Sequence, residues 1–254
     1  EELNFTPVAF SEDLVPAATA LGLTDGEPGA YPPVPQDRQT WYLWVAQAPA
    51  EIPLKVTVKK VWALRPHHIT LHSPLAPGVE PVDESRAVQP DGKTYDVVLK
   101  TPHAGLHRLE IRDGGDYTRV EFPADMPVTL VSGVDSPGIG NHFRGAWTLV
   151  FYVPKGTAMV GGWAGRIAAW APRVSGVLRD GSGAVVHDFS QTSEGWFQVP
   201  VPPGQDGQVW RFEKSQGTRQ LMTVPPCLAR KASELLLPRE VVERDGLHAD
   251  QPAK

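Results

Sequence analysis

Five of the eight histidines fall in two short runs, Pro66-His67-His68-Ile69-Thr70-Leu71-His72 and His103-Ala104-Gly105-Leu106-His107. Imidazoles gathered this way can ligate a metal or pass protons. Read as a strand, the first run sends His67 inward with Ile69 and Leu71, and His68 and His72 outward with Thr70. Two outward histidines four residues apart stand about 13 Å from each other along a strand. A single zinc with bonds of about 2 Å cannot take both without a bulge. His107 shares a face with Leu109 and Ile111, which predicts a hydrogen-bonded core residue. A cross-strand meeting of His68 with His103 stays open. His68, His72 and His103 are therefore the acid–base candidates of any enzymatic reading.

Carboxylates cluster at Asp83-Glu84, at Asp113 with Asp116, and at Asp180 before Gly181-Ser182-Gly183. Oxygen-rich turns of this kind can hold calcium, but the same residues are what tight turns require, and no Asp-x-Asp-x-Asp loop is present. No cofactor is expected; a structural calcium on a rim is the one option left. Nucleophilic hydrolysis has no Gly-x-Ser-x-Gly elbow to stand on, and the lone Cys227 follows Pro225-Pro226 with no activating neighbour. The Gly-rich stretch 133–140 lacks the lysine and helix of a phosphate loop.

Aromatic residues carry a clearer signal. In Trp196–Val201, Phe197, Val199 and Val201 alternate toward the core, which sends Trp196 outward with Gln198. Trp170 shares a side with Arg166. An exposed indole can stack on the apolar face of a sugar ring, so Trp196 and Trp170, with Gln198 and Arg166 as hydrogen-bond donors, form the candidate ligand-binding surface. Trp41, Trp44, Trp147, Trp163 and Trp210 are expected in the core or at an interface.

The elements that must position these groups are short strands. Among 254 residues there are 24 Gly and 26 Pro, which argues against long helices. Strands are expected at 41–45, 54–62, 65–72, 94–100, 106–112 and 118–122, separated by Pro and Gly clusters. An internal repeat follows. Trp41–Val45 answers to Trp147–Phe151, Tyr95–Leu99 to Phe197–Val201, and Leu106–Glu110 to Val209–Glu213. Each copy then turns through a Gly-containing hairpin, Asp113–Asp116 or Ser215–Gly217. The outward Trp196 corresponds to Thr94. These patterns predict an all-β chain of two tandem antiparallel β-sandwich domains, jelly-roll-like, at 38–123 and 146–230. An extended Pro/Ala-rich leader (1–37), a linker (124–145) and a C-terminal tail (231–254) complete the expected plan, the tail frayed beyond Arg239. On this plan a fragment of about 140–230 retains the binding surface.

Formal net charge is -5 with Lys and Arg thinly spread, which argues against nucleic acid and anionic lipid as partners. No apolar run approaches the roughly 20 residues of a membrane-spanning helix. The chain opens Glu1-Glu2-Leu3 without an initiator Met or a signal-type apolar segment, and so reads as a processed or excised fragment.

The series Leu149-Val150-Phe151-Tyr152-Val153-Pro154-Lys155-Gly156, then Leu178-Arg179-Asp180-Gly181-Ser182-Gly183, then Gly195-Trp196-Phe197-Gln198-Val199-Pro200-Val201-Pro202 resembles jelly-roll modules of secreted bacterial enzymes. These are the pre-peptidase C-terminal-like domains and carbohydrate-binding modules. The resemblance covers 143–226 well and 38–123 loosely, and it carries no functional residue over. It implies a secreted or periplasmic, non-catalytic accessory region that binds a polysaccharide or glycan or supports a neighbouring catalytic domain. The opposing reading is a polysaccharide lyase or hydrolase with a His-lined cleft between the sandwiches.

Overall fold

The first strong alternation in the chain becomes a pair of sheets joined by a single bent strand. The computed structural model describes residues 5–17, 29, 36–62, 67–132, 145–166, 173–192 and 194–247. Of these residues 54 % are in strands and 6 % in helix, in antiparallel sheets with no closed barrel, which is an all-β sandwich architecture. Most of the expected leader, and Trp170, lie outside the described residues.

In the first half, β2 (Gln36–Val45), β3 (Ala50–Lys59), β4 (His68–His72), β5 (Asp83–Ser85), β6 (Asp91–Thr101), β7 (Gly105–Glu121) and β8 (Val128–Val131) follow a short β1 (Leu14–Pro16). The early part of β7 lies between β2 and β4, and β4 continues to β5. Its last residues pair with β3, which in turn pairs with β6. One strand therefore serves both layers. The expected hairpin at Asp113–Asp116 is instead a bend inside β7. Gly114 (φ 69°) and Gly115 (φ 94°) supply left-handed backbone there. The buried Asp113 carboxylate holds the bend, accepting from Gly115 N at 3.1 Å and Thr118 Oγ1 at 2.7 Å.

The second half contains β9 (Trp147–Val153), β10 (Met159–Gly165), β11 (Ser175–Arg179), β12 (Val185–Asp188), β13 (Gly195–Pro200), β14 (Gln208–Gln216) and β15 (Thr218–Leu221). The pairing pattern recurs: the sheets run β12-β11-β14-β9 and β13-β10-β15. Ser215–Gly217 is likewise no hairpin, because β14 and β15 enter different sheets, with Gly217 (φ 79°) at the crossing. Register also refines the repeat. Leu43 opposes His107 and Phe151 opposes Trp210, so β2 and β9 correspond two residues away from the match of Trp41 with Trp147. A slip of two leaves every side chain on the same face.

The stretch 124–145, expected as a linker, contains β8. This strand pairs with β2 on one side and with β16 (Cys227–Leu228) on the other. Next to β16, Ala229 and Val150 exchange backbone hydrogen bonds of 2.8 and 3.0 Å, which carries the sheet onward to β9. One apolar cluster runs through both halves, from Trp41 and Leu43 to Phe212 and Leu228. A fragment of 140–230 would lose β8 and the Ser132 carbonyl that accepts from Leu221 N.

The tail has structure through Leu247, the last described residue. Leu236–Pro238 forms β17, paired with β1, and α1 (Arg239–Asp245) follows with Val241 and Val242 buried, capped by Gly246 at φ 71°. Asp13 accepts from Arg239 at 2.7 Å, and Ser11 donates to Glu240 at 2.6 Å. This clasp lies across the junction of the halves, burying Tyr42 from β2 and Tyr152 from β9 in a second apolar cluster. Tyr152 donates to Asp245 at 2.9 Å. Burial, then the Glu12 carboxylate, pushes the Tyr42 phenol up to about 12. The folded chain thus keeps a proton that the unfolded chain loses near pH 10, so this group lowers stability as pH rises from about 10 toward 12. In an alkaline titration followed by phenolate absorbance, Tyr42→Phe is expected to remove a late-ionising phenol. Loss of one titrating near 10 would contradict this burial.

Candidate functional site

The sheet β13-β10-β15 has its inner face in the core, through Val160, Phe197, Val199 and Leu221. Alternation then delivers Trp196 and Gln198 to the outer face of the edge strand, and Trp196 is 37 % exposed. Directly opposite Trp196 in the ladder stands Trp163, half-buried on the same outer face. Trp163 was expected in the core or at an interface. It lies outward because its neighbours Gly162 and Ala164 take the inward positions, and its indole lies over Gly165, where any Cβ would come 1.9 Å from Cη2. Gln220 of β15 opposes Trp163 on its other side.

This surface has defined edges. The buried Phe5 ring covers Gly161, whose added Cβ would meet the ring at 3.1 Å, so the N-terminal segment closes one end. Arg166 marks the other end, where its Nε is 3.2 Å from Glu194. Its guanidinium is thus committed to a carboxylate, unlike the free donor expected. Between these limits lie two indoles and the amides of Gln198 and Gln220. Such a face can stack a flat apolar surface and hydrogen-bond its polar edge.

The corresponding place in the first half is occupied differently. There Thr57 of β3 opposes Thr94 of β6, and their hydroxyls meet at 2.8 Å. The fold therefore needs only two threonines at this cross-strand position.

Among the described residues the histidines form no cluster of three or more. His68 Nε2 is 2.7 Å from Glu84, His72 Nε2 is 3.1 Å from Thr70 Oγ1, and His103 lies in the turn between β6 and β7. His107 is buried; Nδ1–H donates to Gly105 O at 3.0 Å, so Nε2 accepts from Thr101 Oγ1 at 2.7 Å. Burial holds its imidazole below the usual histidine range, in the neutral form. The acidic turns are occupied by their own backbone: Asp180 accepts from Ser182 N and Ala184 N, and Asp83 from Glu84 N and Lys100 N. Among the described residues no group of three or more His, Cys, Asp or Glu is placed to hold a metal ion.

Two aromatic positions escape sequence reasoning. Trp163 becomes part of the site only through register, which alternation along one strand does not disclose. Trp62 sits beyond the end of β3 at Lys59, not inside the expected strand 54–62, and is 63 % exposed. The chain matches no protein-family model, no curated protein and no solved structure.

Proposed function

We propose that the chain is a non-catalytic binding module of a secreted or periplasmic bacterial protein, which holds a polysaccharide on the outer face of β13-β10-β15 beside a neighbouring catalytic domain. The observation that carries this reading is the opposed pair of half-buried Trp163 and exposed Trp196 on one outer face, where the equivalent pair is Thr57 and Thr94. The equivalent position in the first half is filled by threonines, and flat aromatic faces are what sugar rings stack on.

A glycan array, followed by product analysis on the positive glycans, tests the reading. Binding without turnover is expected; new reducing ends or unsaturated products would instead favour a polysaccharide-active enzyme. Trp196→Ala is expected to cost about 1–3 kcal/mol of binding, by analogy with aromatic stacking on other flat ligands. Stability should change by no more than about 1 kcal/mol, because an outward ring leaves no cavity. Unchanged glycan affinity in a folded Trp196→Ala chain would remove the platform from the proposal.

A further inference from the structure

The largest exposed apolar side chain in the first half is Trp62, and it is held in place by buried polar groups. Val61 N and Trp62 N both donate to Asp116 Oδ1, at 2.6 and 2.8 Å. The Asp116 side chain is fully buried, and its other oxygen lies 3.0 Å from His67 Nε2. A carboxylate removed from water is costly unless hydrogen-bonded, and here its acceptor capacity is used to pin the backbone of an exposed dipeptide. The indole also has a floor. It rests over Gly115, where an added Cβ would lie 3.4 Å from Trp62 Cδ1. Gly115 is in the left-handed region, which side chains rarely adopt, so the bend in β7 keeps this floor bare. The Cδ1 edge of the ring is therefore supported at Gly115, and the residue as a whole is 63 % exposed.

The adjoining residues indicate what the ring would meet. Lys59 and Lys60 are exposed directly before Val61, and among the described residues neither pairs with a carboxylate. Other surface lysines of these strands do: Lys55 with Asp96, Lys93 with Asp91 and Lys100 with Glu51. A held, exposed indole two and three residues along the chain from two exposed lysines matches a ring with an apolar face and an anionic substituent.

We propose that Trp62, with Lys59 and Lys60, is a second sugar-stacking site, separate from the Trp163 and Trp196 face, that takes an acidic sugar such as a uronic acid. It rests on the glycan-binding reading and names the substrate class for this part of the surface. A polyuronate chain would then be gripped in the first half, and a neutral polysaccharide in the second.

Affinity electrophoresis of the full chain in gels containing polygalacturonate, or a neutral β-glucan, tests this directly. Trp62→Ala is expected to weaken polygalacturonate retardation roughly tenfold, in line with loss of one stacked ring. Lys59→Ala with Lys60→Ala should weaken it as well and flatten its salt dependence, while both variants keep the wild-type melting temperature. Polygalacturonate binding unchanged by Trp62→Ala, in a chain whose glycan binding falls with Trp196→Ala, would overturn this site and leave the proposed function standing. Absence of binding to every polysaccharide would overturn both.

Discussion

A chain ending at Lys231 is expected to fail to fold. The removed segment contributes Leu235, Leu236, Leu237, Val241, Val242 and Leu247, all buried. Each buried side chain of this size is worth about 1.5–3 kcal/mol, so together they rival the roughly 5–15 kcal/mol by which a whole domain is stable. Polar groups would be orphaned as well. Thr129 Oγ1 donates to Glu234 O at 2.9 Å and accepts from Leu236 N at 2.8 Å, and Tyr152 loses Asp245. Single substitutions grade the same effect: Leu236→Ala or Leu237→Ala should each cost about 2–5 kcal/mol in denaturant unfolding. A soluble truncated chain melting near the wild-type temperature would show that the clasp is peripheral.

Arg219→Ala ranks second in expected effect. The guanidinium is buried in the second half, where it donates to Ser175 O at 2.8 Å, Gln216 O at 3.1 Å and Thr218 O at 3.2 Å. Its central carbon stands 4.0 Å from the Phe189 ring centroid. Burial pushes its pKa down to about 9, so it is still charged at neutral pH. One side chain thus ties together three strand-end carbonyls at the crossing between β14 and β15. Truncation opens a cavity and removes all three hydrogen bonds, at a cost of about 3–5 kcal/mol. Arg219→Lys should fall between, since an ammonium cannot reproduce the planar fork or its stacking. The pH dependence has a definite sign. With a folded pKa near 9 and an unfolded value of 12.5, the unfolded chain binds more protons between them, so this group makes stability rise with pH there. That rise opposes the fall due to Tyr42, and alkaline destabilisation should be steeper in Arg219→Ala than in the wild type. Equal alkaline slopes, or a loss below about 1 kcal/mol, would contradict this account.

What could be read from the sequence was what alternation along a single strand encodes. Phe197 and Val199 inside with Trp196 and Gln198 outside, and His107 beside Leu109, are period-2 statements that need no knowledge of neighbours. The repeat was legible for the same reason, since it reproduces inside and outside faces in order. Features set by contacts between distant residues were not. The Trp163–Trp196 pair depends on the register of β10 against β13, and Gly114-Gly115 reads equally well as a hairpin or as a bend inside one strand. β8 is four residues long between Pro- and Gly-rich stretches, too short for its alternation to stand out. The tail looked frayed because α1 carries many charges. Its order comes from Val241 and Val242 facing a surface built some two hundred residues earlier.

The pairing of β1 with β17 also determines how the molecule meets tension. Leu14 opposes Pro238 and Pro16 opposes Leu236, so the outer ends of the two strands are neighbours at one end of a three-residue ladder. Pulling the flanking chain apart there stretches the hydrogen bonds one after another, starting at Leu14, as a zipper opens, whereas pulling along opposite directions of the ladder would strain them together. The Asp13–Arg239 ion pair sits at the mouth of that zipper, with the Ser11–Glu240 contact just outside it. Force transmitted through the ends would therefore load the clasp before the sheets and uncover Tyr42 and Tyr152, the surface whose loss by truncation is expected to unfold the chain.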